Sequence, residues 1–398
     1  MVFSNVINDL NFTASDLSVS EKINFTIYEN ANQIASEIAN VVPFSSVVIL
    51  STENSFLDYG ISLYNQLKKS FLRPINICVQ KQKRLSIDGV MGIFNVAEDV
   101  RFVIVTDSDI SEVGLYFATV RNLPVLFITN GFDLNCITSN SLLIENGKNL
   151  NEFTVSTKRT IAINYKNLNH SSLADGIAVV GSKIVGLIDY KINAVLFGKE
   201  QNAKLIQQVE TSIDSLLKLN SIDKEELMKT ILFASYTAQL VRLADQEFYS
   251  CSSAVHTALL VENATCATAV GEFVSAKRIL NCLVKAFSSL SRGEKISDYK
   301  AIAKRISDLT GRDFNGVCKD ILYKLDHLRK CGGVERLWQL LKNTAVRAQT
   351  ELNFMDKLFK EYGGKSNFNQ LKASSCIGLS GYVGKSVNCI TLVKEMGF

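Results

Sequence analysis

Residues 101–130 constrain this chain most. Arg101-Phe102-Val103-Ile104-Val105 is a short apolar run rich in β-branched residues. A helix-length stretch follows it, and Val125-Leu126-Phe127-Ile128-Thr129 is a second such run. Two strands separated by one helical crossover pair in parallel, and such crossovers are right-handed in nearly every case. Parallel strands need helices over both faces, so the segment commits its surroundings to an α/β layer. The preceding residues repeat the pattern: Val47-Val48-Ile49-Leu50 reads as a buried strand and 55–70 as an amphipathic helix, with Lys68-Lys69 in its last turn. Ile75-Asn76-Ile77-Cys78-Val79 reads as the next strand. In the loop after the 101–105 strand, where a dinucleotide phosphate is commonly cradled by glycine, stand Thr106, Asp107 and Ser108.

Residues 134–197 change character. Short β-prone runs (160–163, 176–180 and 194–197) lie among polar turns and predict a mixed or antiparallel edge region. From about residue 200 the period is helical: 201–219, 223–246, 251–290, 296–309, 314–329, 333–360 and 366–396. The expected organisation is therefore an α/β nucleotide-binding-like unit over 1–200 and an all-helical unit over 201–398.

Composition excludes several classes. A net charge of +4 over 398 residues gives no electrostatic support for nucleic-acid binding. The densest basic run, Lys81, Lys83 and Arg84, reads as a solvated face. No stretch approaches the roughly 20 uninterrupted apolar residues of a membrane span, and the first residues lack the order of a signal peptide. Nine scattered cysteines include no Cys-x-x-Cys pair, which points to reduced thiols in a cytoplasmic protein rather than a zinc or redox motif. Three histidines leave little material for metal binding. His170 and His327 read as surface residues.

Several strings carry a resemblance. Ala174-Asp175-Gly176-Ile177-Ala178 is similar to an Asp-Gly-x-Ala-Ser turn, and Asn193-Ala194-Val195-Leu196-Phe197 to the strand before a helical domain. Ile213-Asp214-Ser215-Leu216-Leu217-Lys218 is similar to Gly-Asp-Leu-Leu-x-Lys, and Tyr382-Val383-Gly384-Lys385 through Phe398 to a C-terminal helix. Together with the α/β-then-helical order, the chain resembles the iron-containing alcohol dehydrogenase and dehydroquinate synthase superfamily, nearest its glycerol-1-phosphate dehydrogenase branch. The resemblance implies a Rossmann-like unit followed by a helical one, an NAD(P) cofactor and a divalent metal.

At both places that chemistry needs, the sequence departs from the pattern. The family's Gly-Gly-Gly-Ser/Thr loop is replaced by Thr106, Asp107 and Ser108, which fill the approach to a pyrophosphate and place negative charge there. Asp109-Ile110-Ser111-Glu112 also has the spacing of a capping arrangement that would satisfy the helix internally. The family's metal is held by one Asp and two His. Asp214 stands at the Asp position, His256 aligns as the trailing, non-ligand His with Ser252 at the ligand position, and Ala264 stands where the second His belongs. A rescue set of Asp214, His256 and either Glu262 or Cys266 is conceivable. NAD(P) and metal binding are therefore expected to be weak or absent. The expected function is a degenerate, pseudoenzyme member with a binding or interaction role. The alternatives are an active NAD(P)- and metal-dependent oxidoreductase on a polyol or polyol phosphate, or a lyase-type relative. A small molecule in the interdomain cleft and a second copy of the chain are the partners left open.

Overall fold

The computed structural model describes residues 4–395 except 83, 97–98, 130, 135, 148, 165–167, 169, 220–223, 289–297, 331–333 and 367–369. Six parallel strands form its sheet: β1 (Ile23–Ile27), β2 (Ser46–Ser51), β3 (Arg73–Cys78), β4 (Val100–Val105), β5 (Val125–Thr129) and β8 (Arg159–Ile163), in the order β1-β8-β5-β4-β2-β3. β6 (Ser141–Asn146) and β7 (Asn149–Thr154) pair as a separate antiparallel hairpin, the irregular region expected after residue 134. Among the helices of this half are α1 (Ser4–Asp16), α2 (Ala31–Val41), α3 (Ile61–Lys69) and α4 (Ser111–Val120).

Alternation along the strands sorts the two faces. Val47, Ile49, Phe102, Ile104, Leu126 and Ile128 point to one side and pack with Ile34, Ile38, Leu63 and Leu67 of α2 and α3. Val48, Leu50, Val103, Val105, Val125, Phe127 and Ile161 point to the other, into one continuous core shared with α4 and the helical half. Burial on both faces explains why the strands read as solid apolar runs.

Every described element from His170 onward is a helix: α5 (His170–Phe197), α6 (Ala203–Leu217), α7 (Lys224–Ala244), α8 (Ser253–Glu262), α9 (Ala269–Ser288), α10 (Tyr299–Thr310), α11 (Phe314–Lys330), α12 (Val334–Glu361), α13 (Gln370–Ser380) and α14 (Cys389–Glu395), with one short turn at Gln246–Ser250. The strands expected at 176–180 and 194–197 are both part of α5. That helix packs against α7, α9 and α12 and is buried along most of its length, so no continuous polar face marks its period. Its glycines permit the approach: a Cβ on Gly176 would lie 2.4 Å from Ile231, and one on Gly181 would lie 2.5 Å from the Phe273 ring. The single helix expected over 251–290 is two, because Asn263 takes a left-handed conformation (φ 54°) and ends α8.

A buried ion pair and a buried carboxylate tie the helices together. Lys183 and Glu272 form an ion pair of 2.9 Å, both almost fully enclosed, joining α5 to α9. Asp189 on α5 accepts from the Ser253 backbone N–H and hydroxyl (both 2.7 Å) and from the Cys389 N–H (2.8 Å), capping the first turns of α8 and α14 with one carboxylate.

Candidate functional site

The loop from β4 to α4 is closed by its own side chains. Thr106 is fully buried, and its hydroxyl donates to the Leu50 carbonyl (3.2 Å) beside the Ser55 hydroxyl (3.0 Å). Asp107 accepts from the Asp109 N–H (2.9 Å) and from the Thr52 hydroxyl (2.7 Å). Ser108 is exposed. The capping arrangement expected at 109–112 is not what forms. Asp107 caps the turn, Asp109 pairs with Lys81 at 2.7 Å, and Glu112 turns away into a cavity. A glycine is nevertheless used: a Cβ on Gly114 would come within 2.3 Å of Val105, so α4 lies close on β4. These residues do not fit a dinucleotide pyrophosphate, because a carboxylate already takes the free N–H and occupies the approach.

Glu112 opens onto a cleft of about 580 Å³ between the α/β and helical halves. Its walls come from α4, the loop after β5, the β6–β7 hairpin, the end of α7, α8 and the 263–268 break. Arg84, placed in a solvated run by sequence, instead clamps the rim. It reaches Glu145 (3.2 Å), the Leu309 carbonyl (3.0 Å) and the Asn263 side chain.

Polar groups line the cleft without full partners. Glu112 accepts from the Thr265 hydroxyl at 3.1 Å; burial pushes its carboxyl up to about 7, the Thr265 bond pulling the other way. The Cys136 and Cys266 thiols face one another. The contact with Cys266 and then burial hold Cys136 well above its ordinary range; for Cys266 the contact with Cys136 lowers the pKa, while burial and Glu112 outweigh it. Arg242 is 3% exposed, stacks 3.8 Å from the Tyr249 ring centre, and leaves Nε and Nη1 without hydrogen-bond partners. His256 Nδ1 is likewise unpartnered. Burial, then Lys324 and Arg312, pull the His256 pKa down to about 3.

The residues at the resembling family's metal positions do not assemble. Asp214, on α6, opens onto a different hollow of about 120 Å³ between α5, α6 and α12. His256 and Ala264 line the cleft, while Ser252 caps α8 through its hydroxyl. Lys324 and Arg312 disfavour a charged His256, and Asp214 lies in the other hollow, so the two are not brought together. Glu262 is spent on the Thr268 N–H (3.0 Å) and hydroxyl. His327 stacks on Phe197 at 4.3 Å, and the side chain of His170 lies outside the described residues. No described helix is long and apolar enough to cross a membrane.

Sequence reasoning named Cys266 only in the rescue set and missed Cys136, Glu112 and Arg242 as neighbours. They come from separate segments, and no spacing links them.

Sequence comparison matches the chain to no protein family and to no curated protein. Its structure is similar to several solved ones. A 1,3-propanediol oxidoreductase matches with a TM-score of 0.54 at 11% identity, over 94% of this chain and 97% of that one. A Red Sea brine pool archaeal alcohol dehydrogenase gives 0.52 at 11% identity, over 95% and 96%. The glycerol dehydrogenase of Schizosaccharomyces pombe gives 0.51 at 11% identity, over 91% and 90%. A six-stranded parallel sheet followed by a helical half, matched over nearly the full length of each, gives this chain the same fold as these alcohol and polyol dehydrogenase structures.

Proposed function

We propose that this chain uses the dehydrogenase fold to bind a small polar molecule in the cleft, without nicotinamide-dependent dehydrogenase activity. The β4–α4 loop carries the reading: Asp107 occupies the N–H group and the approach that a pyrophosphate would need. Each hydrogen bond to a charged group is worth about 1.5–3 kcal/mol, and every 1.4 kcal/mol or so is tenfold in affinity, so losing several removes orders of magnitude. The cleft volume lies within the range of small-molecule sites. We place the division between the two units after β8 rather than near residue 200, since α5 packs with the helical half. Reduced thiols and the lack of a spanning helix among the described residues are in keeping with a cytoplasmic setting.

NADH and NADPH fluorescence titration, with an assay of glycerol and propanol oxidation, tests this. No saturable binding at micromolar nucleotide and no turnover are expected. Saturable binding would reject the reading in favour of an active oxidoreductase on alcohols or polyols, which the likeness to glycerol and alcohol dehydrogenase structures favours.

A further inference from the structure

Glu112, Cys136 and Cys266 meet in the cleft from three separate segments: the first turn of α4, the loop after β5 and the 263–268 break. One ligand atom of each lies within 4.8 Å of the other two, the one such group among the described residues. Tetrahedral zinc, with bonds of about 2.3 Å to sulfur and 2.0–2.2 Å to carboxylate oxygen, holds its ligand atoms about 3.5–3.8 Å apart. A closure of about 1 Å completes that set. The Thr265 hydroxyl donates to one carboxylate oxygen of Glu112 and holds the side chain at this wall.

Arg242 supplies the second observation. Its guanidinium is buried on the same wall with Nε and Nη1 unpartnered, within the field of both cysteines. After Tyr249 and the Glu272 carboxylate, which is already paired with Lys183, these two cysteines are the groups that favour its charge, and a buried cation gains from a nearby anion. Two thiolates and a carboxylate carry three negative charges, a divalent ion leaves one, and Arg242 balances it.

We propose that Glu112, Cys136 and Cys266 hold one thiophilic divalent ion, zinc by ligand chemistry, with a fourth position open to the cleft. Two sulfurs and an oxygen select zinc over magnesium or calcium. Three protein ligands and an open position are the pattern of sites that bind a water or a ligand oxygen. The site shares no residue with Asp214 or His256 and stands whether or not a nucleotide binds.

Titration of the reduced full chain with Co²⁺ and then Zn²⁺ tests it. The expected result is one equivalent of cobalt with a thiolate-to-cobalt charge-transfer band, bleached by one equivalent of zinc. Cys136→Ser and Cys266→Ser each remove the band, and Glu112→Gln weakens binding at least about tenfold. Cys78→Ser with Cys282→Ser, which removes two exposed thiols, leaves the band intact. Should the serine variants fail to fold, X-ray absorption on the wild-type zinc complex counts the sulfurs, and two are expected. No stoichiometric thiolate band, a band that survives in either serine variant, fewer than two sulfurs, or a Cys136–Cys266 disulfide in protein purified without reductant would overturn the proposal.

Discussion

The two sides of the first turn of α4 are built in opposite ways. On the loop side, Thr106 and Asp107 bond to Leu50, Thr52 and Asp109, and little remains for a visitor. On the cleft side, Arg242 and His256 keep buried nitrogens without partners, beside two thiols and a carboxyl. Native proteins pair nearly all their buried polar atoms, so two unpaired side chains on the wall of one cleft mark a place where a bound group would find donors. A strand-to-helix loop can thus be closed by side chains a few residues from a wall that stays open.

The largest effect that would break this contrast is the pH response of His256. Its folded pKa is pulled down to about 3 from 6.5, so below pH 6.5 the unfolded chain binds a proton that the folded one refuses. Stability from this group falls as pH drops from 6.5 towards 3, by about 2 kcal/mol at pH 5 given about 1.4 kcal/mol per unit. Denaturant melts of wild type and His256→Gln at pH 7.5 and pH 5 should show the variant losing about that much less. Equal losses would mean that His256 has found a partner and the wall is not open.

On the closed side, Asp107→Ala should cost about 1 kcal/mol, the usual worth of an N-cap side chain. Urea midpoints at pH 7 measure it. An unchanged midpoint would show that the loop is not held by its own carboxylate. The smallest effect is expected at Arg242, where Arg242→Met in metal-free protein should change stability by less than about 1 kcal/mol or raise it, because no hydrogen bond of Nε or Nη1 is lost. A loss of several kcal/mol would reveal a partner there and erase the distinction between the two sides.

Much of this architecture was legible in sequence. The strands around residues 47–50, 101–105 and 125–129 announce themselves because both sheet faces are covered, the edge strand around 75–79 through its alternating isoleucines, and the helices beyond residue 200 because most keep a wet face. Helix α5 was not legible: its short run of apolar residues with glycine reads equally as strand when most of its length is buried, and only the packing of Gly176 and Gly181 decides. The break after α8 carries no proline or glycine, and Asn263 alone turns the chain. That hidden turn delivers Thr265 and Cys266 to the cleft. Of the site, the altered loop could be read because its residues are contiguous. The Glu112, Cys136 and Cys266 cluster could not, since it exists only after the α/β and helical halves close on one another.

The carboxylate of Asp189 also sets a condition in time. It ties the starts of α8 and α14, and Cys389 lies at the far end of the sequence. A chain made at about 5–20 residues per second leaves the ribosome with Asp189 long before Cys389 exists. Throughout that interval one oxygen of a residue destined for complete burial lacks its donor. The helical half is therefore sealed by a donor that lies 200 residues beyond its acceptor, and a chain that ends between the two keeps the Ser253 bonds to Asp189 but leaves the other carboxylate oxygen unmet.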